Sequence, residues 1–446
     1  MTNTISDELG SFAQGASREE SLRRQLEAIE VAAGEGSRAF LKVYATEAKA
    51  RAQAFDRAAT QSTQLPPYAG VTISIKDLFD VAGEVTTSGS VLLAGSAPAA
   101  EDAVAVARLK AAGFVPVGRT NMTEFAFSGL GINPHYGTPL NPYDRGSRRI
   151  PGGSSSGAAV SVADGMATVA LGTDTGGSCR IPAALCGLVG FKPTASRISM
   201  AGTMPLSSSL DSIGSIGHSV ACCAAVDEVI SAETGSGGHC DVKSLKFGVP
   251  SSYVFDDIDR QTASAFECAL ARLSEAGVKL VPLETAELSE IPSMNAKGGL
   301  AAREAYLFHR DWMKISASDY DPRVLVRIRK GETQTDEDYR QVQSLRRSLM
   351  DRMQDRLRDF DAVVMPTVPM IAPRIDDLST DDEYNRANML MLRNCTVANT
   401  LDRCAISLPC HAAGEAPVGL MLMGENMGDR KLLSTAAEIE RILAND

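Results

Sequence analysis

The 446-residue chain is poor in aromatic side chains: 13 Phe, 9 Tyr and one Trp make up 5% of it. Its core must therefore be mostly aliphatic. It has only five histidines (His135, His218, His239, His309 and His411), none in HxH, HxxxH or HExxH spacing, and so lacks the pattern of a catalytic zinc site. No metal and no cofactor is expected. The nine cysteines are odd in number and contain no CxxC pair, which reads as reduced, mostly buried thiols of a cytosolic protein. Basic residues are in deficit, with 44 Lys and Arg against 55 Asp and Glu and a net charge of −11. That balance excludes a dedicated nucleic-acid binder, whose phosphate affinity needs clustered cations. No run of about 18 mostly apolar residues is present to span a bilayer. The N-terminus MTNTISDELG carries Asp7 and Glu8 and no apolar stretch, so it does not read as an export signal. A cytoplasmic location is expected, with neither membrane nor nucleic acid as partner.

Hydrophobic residues make up 44% of the chain and charged residues 22%, as in ordinary globular proteins. Residues 17–60 read as two charged amphipathic helices broken at Gly34–Gly36, and 61–70 as a Pro-punctuated linker. An alternation follows: a buried strand over 71–77, a helix over 102–113 ended by Gly113, and a strand over 114–120. A helix of small residues over 155–165 precedes strands over 167–175 and 185–194. This pattern predicts an α/β layered domain with helices on both faces. Residues 286–360 are rich in helix signals and charge. Short strands return at 361–369 and 416–424, and an amphipathic helix closes the chain. The division expected is an N-terminal helical extension, 1–65, and a main domain, 66–446.

Gly and Ser concentrate in two segments, PGGSSSG (151–157) and GTDTGGSCR (172–180). The first sits inside the α/β pattern rather than between domains, which argues against a flexible linker. Neither segment carries the GK pair of a phosphate-binding P-loop. Gly153–Gly157 matches the G-x-S-x-G nucleophile elbow, with Asp402 and His411 as conceivable partners, but RGSRRIP precedes it where an apolar strand is needed. The second segment is better placed. It follows the strand ATVALGTDT directly, and Gly176 and Gly177 expose backbone N–H groups beside Ser178, as an oxyanion site requires. A serine needs a base. No His lies near in sequence, but Lys76 ends the apolar strand VTISIK, and a buried lysine loses proton affinity.

The stretch PGGSSSGAAVSVADGMATVALGTDTGGSCRIPAALCGLVGFKPT (151–194) closely resembles the amidase signature family of serine hydrolases. The resemblance extends to GVTISIKDLFDVAG, VGRTNMTEFAF, SLDSIG (209–214) and MPTVP (365–369), and covers nearly all of residues 66–430. It implies an α/β fold with a large mixed sheet between helices, and a Ser–cis-Ser–Lys triad. Lys76 matches the family lysine, Ser154 the bridging serine of the cis peptide, and Ser178 the nucleophile; their spacing, 178 − 154 = 24, agrees with the family. The N–H groups of Thr175, Gly176, Gly177 and Ser178 are the implied oxyanion donors. The resemblance also implies substrate contacts from Ser128, Gly129, Leu130 and Gly131 and from the variable region 290–330. Asp174 and Arg180 are expected to brace the nucleophile loop, with a substrate contact, such as Arg180 to a carboxylate, as the other reading. Cys179 reads as a packing residue, a cysteine-dependent amidase being the rival.

The implied activity is amide C–N hydrolysis through a seryl acyl-enzyme, on a small carboxylic amide or ureido compound. The alternative is the glutaminase subunit of a tRNA-dependent amidotransferase. Those subunits carry a C-terminal aspartate motif for the amino group of glutamine, from which LRNCTVANTLDRCAISLP departs. The partners expected are a small-molecule amide and, at most, a second copy of the chain as a homodimer.

Overall fold

The computed structural model describes residues 4–31, 33–235, 237–238 and 240–444, leaving His239 outside the described residues. Eleven strands form one mixed sheet. In chain order they are β1 (Phe40–Val43), β2 (Thr72–Lys76), β3 (Val115–Thr120), β4 (Val169–Asp174), β5 (Val189–Lys192), β6 (Ser212–Gly217), β7 (Lys246–Pro250), β8 (Lys279–Leu283), β9 (Ala362–Pro366), β10 (Ala405–Pro409) and β11 (Gly419–Met423). Across the sheet the order is β1-β3-β2-β4-β6-β5-β10-β11-β9-β7-β8. The β3-β2-β4 unit is parallel, as are β7-β8 and β7-β9, and the middle of the sheet is antiparallel.

Helices cover both faces, which the alternation along each strand makes visible. On β4, Val169 and Leu171 enter one apolar cluster and Ala170 another. On β10 and β11, Ala405 and Met421 face one cluster, while Ile406, Leu420 and Leu422 face a second. β2 and β4 are buried along their whole length, and TISIK turns Ile73 and Ile75 to the apolar cluster while Thr72, Ser74 and Lys76 make buried polar contacts on the other face.

The helix Ser156–Ala163 consists of small side chains, almost all buried, and lies close against its neighbours. A Cβ on Gly157 would fall 2.3 Å from Ala39 O and 2.8 Å from the Asn121 backbone.

The sequence reading differs from the structure at the N-terminal end. Residues 40–43, read as part of a helix, form β1 and pair antiparallel with β3. Phe40, Leu41 and Val43 favour a pleated surface, and Gly118 opposite leaves room for the Phe40 ring, which a Cβ there would meet at 2.8 Å. Helix Ala45–Thr60 then follows. A further helix, Ile5–Ala13, begins with a Thr4–Asp7 capping box, and its Ile5 joins the same apolar cluster as β2. Helix Arg18–Glu30 is tied to the body by Arg18 Nε donating to Ala69 O (2.9 Å) and Gln25 Nε2 to Thr168 Oγ1 (3.1 Å). The charged stretch 286–360 contains helices Gly299–Ser316, Pro322–Lys330 and Asp336–Leu357. No helix among the described residues is long and apolar enough to cross a membrane.

Candidate active site

Parallel neighbours end side by side, and the site lies at the carboxyl ends of β2 and β4, where open α/β sheets commonly bind ligands. Lys76 is the last residue of β2, and Thr173 and Asp174 are the last two of β4. Lys76 is fully buried. Its Nζ lies 2.7 Å from Ser154 Oγ and 2.9 Å from Thr173 Oγ1. Burial lowers its pKa to about 8, against the opposing pull of nearby acidic groups that include the Asp174 and Asp211 carboxylates.

The Gly153–Ser154 peptide is cis. The chain around it is held on both sides, with Gly153 N donating to Gly129 O (2.9 Å) and Thr123 N donating to Ser154 O (3.1 Å). Only glycines fit here: a Cβ on Gly153 would sit 2.5 Å from Gly131 N, and one on Gly131 2.2 Å from Gly152 O. Ser155 N donates to Ser178 O (3.3 Å), joining this segment to the loop after β4. Lys76 and Ser154 are thus in contact, and the segment of Ser154 adjoins the loop that carries Ser178.

Beneath the Ser178 loop lies a buried ion pair. Asp174 accepts from Arg180 Nε (3.0 Å) and Nη2 (2.8 Å), from the Gly177 and Cys179 amides (2.8 and 3.2 Å), and from Asn399 Nδ2 (2.9 Å). Burial alone would raise the Asp174 pKa, but the Arg180 charge and hydrogen bonds, with Lys192 and Asn399, hold it well below the usual carboxylate range. Arg180 spends its remaining donors on Asn399 Oδ1 (2.7 Å), Cys395 O (3.1 Å) and Met421 Sδ (3.0 Å). Asp174 and Arg180 are fully buried, so neither meets a substrate; the substrate contact considered for them gives way to the bracing arrangement.

The Gly177 amide, expected to face an oxyanion, is turned inward onto Asp174. The Gly176 and Ser178 amides make no hydrogen bond among the described residues. Thr175 Oγ1 donates to Asp211 Oδ1 (2.5 Å), whose other oxygen takes the amides of Leu206 and Ser207 (2.9 and 3.0 Å). Burial pushes the Asp211 carboxyl up to about 6.

Of the four residues Ser128–Gly131, Gly129 borders the same side chain as Gly176: a Cβ on either would lie 3.1–3.4 Å from Leu392 Cδ2. Ser128 Oγ donates to Asn388 Oδ1 (2.9 Å) and accepts from Tyr384 Oη (2.9 Å), and Leu130 is fully buried. The sequence reading passed over the helix Asp381–Thr400 that supplies Tyr384, Asn388, Leu392 and Thr396, because a helix buried along one face carries no motif of its own. Within the region 290–330, where substrate contacts are expected, it did not single out Arg327. That guanidinium lies over the Tyr384 ring (5.0 Å), donates from Nη1 to Phe127 O (2.8 Å), and buries Nη2 without a hydrogen-bond partner.

The rival sites fall away. Cys179 is fully buried and its thiol is pushed up to about 12 by that burial, so it is not a thiolate. Ser155 is fully buried against Thr173 O. Asp402 accepts from Ala195 N and Asn426, and His411 lies beside Gly187, so no elbow triad forms.

With the geometry described, the comparisons give first a class: the chain is an amidohydrolase, acting on amide C–N bonds. It belongs to the amidase family, which it matches over residues 20–433. It is 36% identical to 2-amino-5-chloromuconic acid deaminase of Comamonas testosteroni, over 89% of this chain and 86% of that one. It is 33% identical to a glutamyl-tRNA(Gln) amidotransferase subunit of Symbiobacterium thermophilum, over 94% of each. A solved amidase structure superposes with a TM-score of 0.89 at 28% identity, over 98% of this chain and 99% of the other.

Proposed function

We propose that Lys76, Ser154 and Ser178 form a proton relay that hydrolyses a small amide bearing a carboxylate, through an acyl-enzyme on Ser178. The observation that carries the relay is the contact of Lys76 Nζ with Ser154 Oγ at 2.7 Å, made by a lysine whose burial lowers its pKa to about 8. Thr173 Oγ1 can accept an N–H of Lys76, which leaves the lone pair of the neutral amine to face Ser154. Lys76 then takes the proton of Ser154 Oγ as Ser154 takes that of Ser178, and Ser178 Oγ bonds to the carbonyl carbon. The oxyanion is held by the Gly176 and Ser178 amides, with Gly177 and Asp174 fixing the loop from below. The relay returns the proton to the leaving nitrogen as the C–N bond breaks. Water, deprotonated by the same relay, attacks the ester carbonyl; Ser178 recovers its proton and the carboxylic acid departs.

Two features favour an acidic substrate without an amino group. Arg327 offers a buried, unpartnered guanidinium N–H beside Phe127 and Ser128, and bidentate carboxylate binding suits such a fork. The side chains nearest Gly176 are Leu392 and Thr396, neither of which carries a negative charge to offset an ammonium group. The deaminase relative acts, by its name, on an acid. The amidotransferase relatives keep the glutaminase reading as the second one, which the uncharged Leu392 and Thr396 beside Gly176 do not favour. In this reading the protein works in the cytoplasm, as a monomer or homodimer, with residues 66–446 as the catalytic domain and 1–65 as an extension packed on it.

The test is ammonia release from a panel of amides: short aliphatic, aryl, ureido-acid, dicarboxylic monoamide and glutamine. Acidic amides are expected to be preferred and glutamine to be poor. Ser178→Ala is expected to lose at least roughly a thousandfold in kcat, because the relay acts as a unit. Near-normal turnover by Ser178→Ala, or preference for glutamine, refutes the reading.

A further inference from the structure

A groove of about 220 Å³ lies between the helices Gly299–Ser316 and Asp336–Leu357, lined by Ser209, Leu300, Gln343, Arg346, Arg347 and Met350. It shares none of these residues with the Ser178 loop or with the surroundings of Gly129. Gln343, Arg346, Arg347 and Met350 follow one another at helical spacing and so present one face.

Two guanidinium groups, Arg346 and Arg347, line the groove. Arg346 donates from Nε to Thr400 O (2.9 Å), from Nη1 to Ser209 O (3.1 Å) and from Nη2 to Asn399 O (3.1 Å). Three neutral carbonyls satisfy its donors without cancelling its charge. Arg347 is exposed and makes no ion pair or hydrogen bond among the described residues. The Glu304 and Asp402 carboxylates act on Arg346, and Glu304 also accepts from Ser207, Ser209 N and Tyr339, so Arg347 is the lining guanidinium left without an ion pair among the described residues. Leu300 and Met350 supply apolar walls. In a chain of net charge −11, a walled groove with a free guanidinium, a primary amide and a second guanidinium behind it is suited to a small anion with an aliphatic body.

We propose that this groove is a second, non-catalytic binding site for a small carboxylate, held by Arg347 and Gln343 with its hydrocarbon part on Leu300 and Met350. Its floor, Ser209, lies two residues from Asp211, which holds Thr175 of the catalytic loop. Arg346 meanwhile grips Asn399, which bonds both Asp174 and Arg180. The occupied groove therefore adjoins both supports of the nucleophile loop. Amide hydrolysis itself releases a carboxylate, so a product falls within the ligand class.

The test is isothermal titration of the full-length protein with hexanoate, and with hexanamide as its uncharged counterpart. Saturable binding of hexanoate in the millimolar range is expected, weakening as salt is raised, with hexanamide bound far less. Arg347→Glu is expected to keep the basal turnover and to lower hexanoate affinity by at least roughly tenfold. Gln343→Glu, which leaves both arginines in place, is expected to weaken it in the same direction, and Arg327→Ala to leave it unchanged. The proposal is overturned if hexanoate gives no saturable heat, if hexanamide binds equally well, if Arg347→Glu and Gln343→Glu both bind normally, or if Arg327→Ala abolishes binding. None of these outcomes depends on which amide the enzyme hydrolyses.

Discussion

If Lys76 must be neutral to act, activity follows its deprotonation. With a pKa of about 8, the neutral fraction is about one eleventh at pH 7 and about ten elevenths at pH 9, by one-proton titration. The value of kcat/KM for a good amide is therefore expected to rise about tenfold between those pH values, with its midpoint near 8. Raising the pH removes the proton from the base, so the sign is an increase. A second acid, Asp211, is pushed up to about 6. Its ionised form accepts from Thr175, Leu206 and Ser207, so any contribution from it is complete before the Lys76 limb begins. Asp211→Asn would alter the profile below pH 7 and, by removing one of the charges that raise the Lys76 pKa, would move the midpoint below 8. Lys76→Arg keeps a cation that does not deprotonate in this range, and is expected to lose at least roughly a thousandfold at every pH. The assay is initial-rate ammonia release from pH 6 to 10 at constant ionic strength. A profile that is flat or falling between pH 7 and 9, or a Lys76→Arg variant that keeps a tenth of the activity, refutes the role given to Lys76.

Three other perturbations have expected outcomes. Gly177→Ala places a Cβ 2.5 Å from Cys395 Cβ at a φ of +125°; kcat is expected to fall about a hundredfold through misplacement of the loop, measured with an ester to separate acylation from binding. Arg180→Met strands the buried Asp174 charge and is expected to cost about 3–5 kcal/mol in urea unfolding, with less lost in Arg180→Met/Asp174→Asn. Burial pushes the Glu8 carboxyl from 4.5 up to about 7, so the native state holds a proton that the unfolded chain releases. Stability is then expected to fall by roughly 3 kcal/mol as pH rises from about 4.5 to 7, and Glu8→Gln to flatten that slope, read as urea midpoints at pH 5 and 8.

The chemistry was legible because it sits in contiguous text. The residues from 151 to 194 carry two loops, the helix between them and strand β4, and local spacing brings Ser154 and Ser178 to one place. Lys76 was one candidate base among ordinary lysines by its strand alone, and it was the resemblance of GVTISIKDLFDVAG to the family that singled it out. The surroundings were not legible for a matching reason. Arg327, Tyr384 and Leu392 come from two helices remote in sequence, and their meeting at Ser128 and Gly129 is a product of tertiary packing. The inward turn of the Gly177 amide was equally hidden, because it depends on the Asp174 carboxylate lying under the loop. β1 was misread because four residues are too few to show a period of two against the helical pattern that follows.

The seat of Lys76 on β2, one strand from Thr173 on β4, has an evolutionary consequence. Base and support are set by the register of a parallel ladder buried on both faces, which drifts little as sequences diverge. The side chains beside Phe127, Ser128 and Gly129 come instead from helices 322–330 and 381–400, far downstream. Exchange of side chains on the helix faces that carry Arg327, Tyr384 and Leu392 therefore alters the surroundings of Ser128 and Gly129 without touching β2 or β4, provided that Asn399 and Cys395, which hold Asp174 and Arg180, are kept.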